Sequence, residues 1–245
     1  YQKAVQYARD RVQSRPVDGS MATAAPIIHH PDVKRMLMTM RAYTEGCRAM
    51  AFVAAAALDA AHAHPDAAVR KQNQAFYEFM VPLVKGYSTE MSLEVTSLGV
   101  QVHGGMGFIE ETGAAQHYRD ARIMPIYEGT TAIQSNDLIG RKVIRNGGVT
   151  AEGLFAQIDE TIAGLRGTGD DVASRTADRL ERAVAAARRA TGDLIGFAGS
   201  PRDAHAVSVP YLMLLGTLAG AWMHALAVLA VLAHAEPQDA DAARL

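Results

Sequence analysis

The spacing of apolar residues along the chain is that of α-helices almost throughout. Apolar positions recur every three or four residues, as in Val33, Leu37 and Met40, which is the period of a helix with one buried face. Alanine-rich blocks such as residues 49–63 add high helix propensity. Runs of β-branched residues with strict alternation, the usual sign of strands, are missing. The pattern predicts an all-α fold with almost no sheet.

Capping residues, prolines and glycines divide this helical pattern into segments. Asp32 and Asp66 are placed to cap long helices, and Gly104-Gly105 is a stop signal. Residues after that stop read as a short irregular connector. We expect helices at about 1–14, 32–62, 66–83, 88–103, 132–145, 151–165, 170–196 and 211–233.

The sequence Asn146-Gly147-Gly148 is the strongest boundary signal, because glycines end helices and the composition changes after them. We therefore predict two domains. A helical bundle occupies residues 1–147, and a smaller, additional helical domain occupies residues 148–245.

The last predicted helix, residues 211–233, has His224 as its one strongly polar side chain and is long enough to span a membrane. It lacks a flanking cluster of Lys or Arg. We expect a helix buried by partner helices and no stable membrane span. The spacing of Gly216 and Gly220 suits either internal packing or an interface.

Composition and charge narrow the classes of partner. The 245 residues carry 24 basic and 26 acidic side chains with no long run of one sign, so no electrostatic feature favours a nucleic acid or a membrane surface. Cys47 is the only cysteine, which excludes an intrachain disulfide and favours a reducing, cytoplasmic location. No signal peptide is visible, and a start at Tyr1 instead of Met suggests a piece of a longer protein.

Three segments have residues that could bind a ligand. His29-His30-Pro31-Asp32 resembles a metal cluster, but adjacent side chains point apart, so we predict no metal site. Arg9, Arg11 and Arg15 form either a solvated helix face or an anion-binding edge. In Gln101-Val-His-Gly-Gly-Met-Gly-Phe108, three glycines exceed what one helix cap needs, and glycine lets a backbone approach a ligand such as a pyrophosphate.

Glu128 is the most informative single residue. It follows Ile126-Tyr127 and precedes Gly129, a setting that predicts partial desolvation and therefore a raised pKa, as a general base needs. The alternative is a carboxylate that helps Thr130 or Thr131 cap the next helix. By spacing alone, capping is the better interpretation.

Two linked motifs favour catalysis. The segment Tyr118-Arg-Asp-Ala-Arg-Ile-Met-Pro-Ile-Tyr-Glu-Gly-Thr130, preceded by the glycine motif at residues 101–108, resembles the C-terminal helical domain of the flavin-dependent acyl-CoA dehydrogenases. The resemblance covers residues 1–145 and implies an up-down four-helix bundle. The last hundred residues resemble the extra C-terminal domain of the subgroup that includes 3-methylmercaptopropionyl-CoA dehydrogenase and broad-range long-chain enzymes.

The resemblance implies a role for each matching residue. Glu128 corresponds to the base that removes the α-proton of an acyl-CoA thioester, giving a trans-2-enoyl-CoA, and Tyr127 and Gly129 would contact substrate. The remaining matches imply contacts to FAD, with Gln101, Gly104 and Gly105 at its ADP half, often across a subunit interface. The implied FAD contacts are Arg11, Gln13, Ser14, His30, Gln101, Gly104, Gly105, Thr130 and Ala132.

The sequence also departs from the family. Ala132 stands where many members carry Gln, and an insertion-like loop at residues 15–28 separates Ser14 from His30. The family's N-terminal helical domain and middle β-domain are absent from this sequence, so this chain alone should be inactive.

The family also implies partners: an acyl-CoA substrate, an electron-transfer flavoprotein or similar acceptor, and a second copy of the chain in a homodimer or homotetramer. Two alternative functions stay open. One is a non-catalytic helical assembly module, and the other is an acyl-CoA oxidase, which passes electrons to oxygen.

Overall fold

The computed structural model describes residues 1–234, and every regular element in that range is helical. Its α-helices are α1 (Gln2–Asp10), α2 (Pro31–Ala63), α3 (Ala67–Pro82), α4 (Ser88–His103), α5 (Gly105–Phe108), α6 (Ala114–Ala121), α7 (Thr131–Asp137), α8 (Val149–Gly167), α9 (Asp171–Gly196), α10 (Pro201–Ala206) and α11 (Ser208–His234). Leu83–Tyr87 and Leu138–Ile144 are π-helical turns, and Ile27–His29, Glu110–Thr112 and Phe197–Gly199 are 3₁₀ turns. The predicted all-α class is confirmed. Residues 235–245 of the predicted C-terminal domain lie outside the described range.

One predicted cap is confirmed, and one is wrong. Asp66 accepts a hydrogen bond from the Ala68 amide over 2.7 Å. Asp170, which was not predicted as a cap, accepts one from the Ala173 amide over 2.8 Å. Asp32 lies inside the first turn of α2 instead, because Pro31 takes the first helical position, where its missing N–H costs no hydrogen bond.

Three predicted segments differ from the structure. The first helix ends at Asp10 and not near Ser14, because the next residues are extended and pair with residues 25–27. The irregular connector contains α5, α6 and a 3₁₀ turn. The helix predicted at 132–145 begins as α7 but widens into a π-helical turn from Leu138.

The chain forms two compact units, each made of two segments. The first unit contains residues 1–47 and 88–131, and the second unit contains residues 48–87 and those from 132 onward. The two units are defined by close packing of residues within each unit. The predicted domain boundary is defined by helix-ending glycines and a change of composition, which is a different criterion. The domain boundary at residue 147 therefore stays a prediction.

The core of the first unit joins α1, α2 and α4. Its buried residues are small on α1 and large on α2, so that α1 approaches closely. They are Ala4, Ala8, Met36, Leu37, Met40 and Val102. The partly buried side chains of Ile27 and Ile28 pack against this cluster, which holds the loop after α1 against the helices.

The second unit has a larger apolar core with paired polar groups inside it. Its fully buried apolar side chains include Phe79, Leu83, Leu138, Ile139, Phe155, Ile158, Leu165 and Leu194. Trp222 donates through Nε1 to the Thr161 hydroxyl over 2.8 Å. The hydroxyls of Thr191 and Tyr211 are also 2.8 Å apart. These bonds satisfy polar atoms that would otherwise destabilise a buried helix contact.

Helix α11 packs against α8, α9 and the Leu83–Tyr87 turn within the second unit. Gly216 lies so close to Tyr87 that a Cβ at Gly216 would overlap the ring, whereas a Cβ at Gly220 would meet nothing within 4 Å. Gly216 therefore serves internal packing. Among the described residues, α11 is the one helix long and apolar enough to cross a membrane, with 44% of its most apolar window buried.

The two glycines of α11 provide a matched pair of variants. We expect Gly216→Ala to lower the free energy of unfolding by about 1–3 kcal/mol, because the added methyl displaces the Tyr87 ring. Gly220→Ala should be neutral or stabilising by up to about 1 kcal/mol through helix propensity. Urea denaturation of both variants checks this, and equal effects would contradict the assigned contact.

Tyr211 makes stability depend on alkaline pH. Burial raises the pKa of Tyr211 to about 12, and its hydrogen bond with Thr191 offsets only part of that effect. The folded state thus holds this proton more tightly than the unfolded state. The resulting stability is fully present below about pH 10 and is lost as the pH rises through about 12.

We expect the free energy of unfolding of the wild-type chain to fall more steeply between about pH 10 and pH 12 than that of Tyr211→Phe. At neutral pH the variant should be less stable by about 1 kcal/mol, since it lacks the bond with Thr191. Urea denaturation across this pH range measures both effects, with Tyr118→Phe, at an exposed tyrosine, as the control. Parallel curves for wild type and Tyr211→Phe would refute the prediction.

Candidate active site

The loop between α6 and α7 places Glu128 in an unusual backbone conformation. Glu128 has φ +51° and Gly129 has φ +94°, so two consecutive residues are left-handed. Glycine adopts this region freely, but a residue with a Cβ does so at a cost of about 1–2 kcal/mol. Such outliers cluster at functional sites, where the fold holds a side chain in a required position.

Hydrogen bonds close this loop at its base. The Thr131 amide donates to the carbonyl oxygen of Pro125 over 3.2 Å, so residues 126–130 form a loop with joined ends. The Thr131 hydroxyl donates to the carboxylate of Glu90, which lies in the first turn of α4. Residues 88–131 belong to the first unit, so the loop is attached to α4 of that unit.

Glu128 is exposed, and Tyr127 beside it is 45% exposed. The prediction that Ile126 and Tyr127 partly desolvate the Glu128 carboxylate is therefore wrong for the described chain, since those side chains also point partly to solvent. The backbone of Glu128 leaves the capping alternative open, because residues that precede a helix are non-helical in any case. The structure therefore shows a Glu128 whose backbone lies in a closed loop and whose side chain is exposed.

The residues after α1 lie together with His30. Arg11 to Gln13 form an extended segment whose backbone pairs with residues 25–27, through the Ile27 amide to the Arg11 carbonyl oxygen at 2.8 Å and the Gln13 amide to the Ala25 carbonyl oxygen at 3.0 Å. The insertion-like loop is therefore closed at its base. Ser14, which follows the extended segment, is left-handed, with φ +58°. His30 Nε2 donates to the Gln13 carbonyl oxygen over 2.8 Å, so Arg11, Gln13, Ser14 and His30 form one strip on the first unit.

The end of α4 adjoins this strip. The His103 ring stacks on Tyr7 of α1, with ring centroids 4.3 Å apart, and its Nδ1 donates to the Gly99 carbonyl oxygen over 2.7 Å. This stack joins the last turn of α1 to the last turn of α4. Gly104 and Gly105 follow His103 directly along the chain.

The glycine turn after α4 presents an open backbone surface. Gly104 has φ +60°, which ends α4 as predicted, and a Cβ at Gly104 or Gly105 would meet no atom of this chain within 4 Å. Gln101 on the last turn of α4 is exposed beside them. Internal packing gives no reason for glycine at position 105, so the turn is suited to close approach by a ligand.

Thr130 and Ala132 flank the start of α7 and are both exposed. A cavity of about 470 Å³ in the first unit, bordered by Ala4, Met40, His103 and Met124, has none of the predicted site residues in its lining. The predicted residues thus occupy an open surface and not this cavity.

Two contacts important to this geometry were not predicted from the sequence. They are the hydrogen bond between Thr131 and Glu90 and the stacking of His103 on Tyr7. Glu90 lies 41 positions from its partner Thr131, so no local pattern indicates the pairing. The helical spacing of Gly99 and His103 could have indicated the histidine's bond to the preceding turn.

Other candidate groups gain no support for a reactive role. Cys47 is partly buried, and burial raises the pKa of its thiol, which disfavours the reactive thiolate. Within residues 1–234 no group of three or more His, Cys, Asp or Glu side chains is arranged to hold a metal ion.

Two family models match the chain. The model "Acyl-CoA dehydrogenase, C-terminal domain" matches residues 1–143, and "Acetyl-CoA dehydrogenase C-terminal like" matches residues 154–245. The first covers more than half of the chain and includes every residue of the candidate site.

Curated relatives agree with these matches. The chain is 57% identical over 231 residues to 3-methylmercaptopropionyl-CoA dehydrogenase of Ruegeria pomeroyi, covering 94% of this chain and 39% of that protein. It is 36% identical to the broad-specificity linear acyl-CoA dehydrogenase FadE5 of Mycobacterium tuberculosis, covering 91% and 38%. The chain thus spans about two fifths of the length of these relatives, which are oxidoreductases by name.

Solved structures show the fold. ACDH-11 of Caenorhabditis elegans, in complex with C11-CoA, superposes with a TM-score of 0.66 at 20% identity, covering 98% of this chain and 38% of that one. The apo form of Bd2924 has a TM-score of 0.61 at 21% identity, covering 91% and 37%. The predicted helical fold of the acyl-CoA dehydrogenase C-terminal type is confirmed. By sequence, by family model and by fold, this chain belongs to the acyl-CoA dehydrogenase family.

Proposed function

We propose that this chain is the C-terminal part of an FAD-dependent acyl-CoA dehydrogenase in which Glu128 removes the α-proton of an acyl-CoA thioester. One observation carries the proposal. Glu128 is held in a left-handed conformation, in a loop closed by hydrogen bonds, with its carboxylate exposed to whatever binds there.

The proposed reaction removes a proton from the α-carbon and a hydride from the β-carbon of the substrate. The Glu128 carboxylate takes the α-proton, the electrons of that C–H bond form the new C=C bond, and the β-hydrogen leaves with its electron pair. Bound flavin would supply the hydride acceptor. Backbone amide groups of the loop, where Gly129 allows close approach, would hold the thioester carbonyl and make the α-proton more acidic.

Exposure of Glu128 has a chemical consequence. A carboxylate in water is a weak base for a carbon acid, because water stabilises its charged form. In the assembled enzyme, substrate and flavin would cover the Glu128 loop, exclude water and strengthen the base. Tyr127 and Gly129 are the neighbouring residues that we propose to contact substrate.

The described residues fit FAD. Arg11, Gln13, Ser14 and His30 lie in one strip, which offers a guanidinium for phosphate oxygens and polar groups for the isoalloxazine. The open turn at Gln101, Gly104 and Gly105 suits close approach by the ADP half. Thr130 and Ala132 would complete the contacts beside the base, although Ala132 can offer only backbone groups and a methyl.

Substrate and partners follow from the same proposal. An acyl-CoA thioester is the substrate class, and 3-methylmercaptopropionyl-CoA is the first compound to test, because a relative 57% identical bears that name. An electron-transfer flavoprotein or a similar acceptor would reoxidise the flavin. We further propose a cytoplasmic homodimer or homotetramer, without nucleic acid.

Replacing the base tests the proposal directly. In the full-length protein, Glu128→Gln should retain flavin, because it keeps the size and hydrogen-bonding capacity of the side chain. Bleaching of the flavin absorbance by acyl-CoA should slow by at least about 10³-fold, since an amide cannot accept the α-proton. Stopped-flow absorbance measures this rate.

Glu111→Gln is the matched control, because Glu111 is also an exposed glutamate of the first unit. It should bleach at the wild-type rate. Retention of fast bleaching by Glu128→Gln would reject the base assignment. Colourless full-length protein would favour the assembly module, and peroxide formation matching substrate turnover would favour the oxidase.

The glycine turn gives a separate test of FAD binding. Gly105→Val should leave the fold intact, because its Cβ meets nothing in this chain, yet lower the flavin content of purified protein by at least about tenfold. Gly153→Val, at an equally open position on α8, should keep its flavin. Equal flavin content in both variants would exclude the turn from the FAD site.

A further inference from the structure

Thr131 is the last residue of the first unit and bonds to two other parts of that unit. Its amide binds the Pro125 carbonyl, its hydroxyl binds the Glu90 carboxylate, and its backbone begins α7. Only Gly129 and Thr130 separate it from Glu128. A displacement of Thr131 would therefore be passed to Glu128 through three peptide bonds.

The two hydrogen bonds of Thr131 act on different parts of the chain. The bond from Thr131 to Pro125 joins the two ends of the loop. The bond from Thr131 to Glu90 links the loop to α4, whose other end carries the turn at Gly104 and Gly105. One helix thus connects the loop of the proposed base with the turn of the proposed FAD site.

The hydrogen bond between Thr131 and Glu90 is of a kind that can hold the two residues in a fixed geometry. A hydroxyl that donates to a carboxylate makes a charge-assisted bond, which is about twice as strong as a neutral one. The bond is partly buried, so that water competes for it less than at an exposed site.

We propose that Glu90 and Thr131 are positioning residues that hold the Glu128 carboxylate in its reactive geometry. This inference rests on the proposed function, because it assumes that Glu128 is the base. Neither residue touches the reacting atoms in this role. Their effect is on the rate of proton removal, through the place and angle of the base, and not on flavin or substrate binding.

Thr131→Val tests the pair, because valine keeps the branched shape and removes the hydroxyl. In the full-length protein we expect flavin bleaching by saturating acyl-CoA to slow about 10- to 100-fold, since misplacing a catalytic group by about 1 Å has effects of this size. The flavin content and the substrate concentration for half-maximal rate should stay within about twofold of wild type.

Thr131→Ser restores the hydroxyl and should recover the rate to within about threefold of wild type. Glu90→Ala should match Thr131→Val, and the double variant should be no slower than either single variant, because both remove one bond. Thr131→Val should also cause no further loss in a Glu128→Gln background, where there is no base to position.

Each other result overturns the inference. A wild-type bleaching rate for Thr131→Val, together with a strong defect in Glu128→Gln, rejects the positioning role and leaves the proposed function intact. Loss of flavin or of the folded state in parallel with the rate would make the bond structural only. Fast bleaching by Glu128→Gln would reject the base itself, and with it the role proposed for Glu90 and Thr131.

Discussion

The left-handed backbone at Glu128 is the constraint on which the candidate active site depends. A carboxylate residue adopts that conformation only where surrounding contacts outweigh its cost of about 1–2 kcal/mol. The contacts that hold this loop include the bond from the Tyr127 amide to the Ile123 carbonyl oxygen and the two hydrogen bonds of Thr131, to Pro125 and to Glu90. Gly129 continues the left-handed turn without such a cost. The loop thus presents an acidic side chain outward, whereas a helical path would direct it along α7.

The rest of the first unit serves the same arrangement. Small residues on α1 let it lie close to α2 and α4, and the Tyr7–His103 stack aligns the ends of α1 and α4. Because the loop after Ser14 is closed by backbone pairing, its length does not displace His30 from Gln13. An insertion that separates residues in sequence therefore leaves the strip of Arg11, Gln13, Ser14 and His30 continuous.

The second unit is stabilised mainly by the burial of apolar side chains. Its helices bury long apolar faces, and its few interior polar groups are paired across helices, as in Trp222 with Thr161 and Tyr211 with Thr191. Close contact between Gly216 and Tyr87 sets how near α11 can lie. An apolar helix of this length satisfies the composition of a membrane span and of an interior helix alike, so composition does not distinguish them.

The sequence by itself determined what depends on neighbours along the chain. Helical period, the cap at Asp66 and the stop at Gly104 are local effects, and each was predicted. The motifs around Glu128 and Gly104-Gly105 likewise identified the family. Tertiary structure alone decided the early end of α1, which follows from pairing with residues far along the chain, and the exposure of Glu128, which depends on where Ile126 and Tyr127 point. It also decided the pairing of Glu90 with Thr131, because a hydrogen bond across 41 positions arises from the packing of helices and leaves no periodic trace in the sequence.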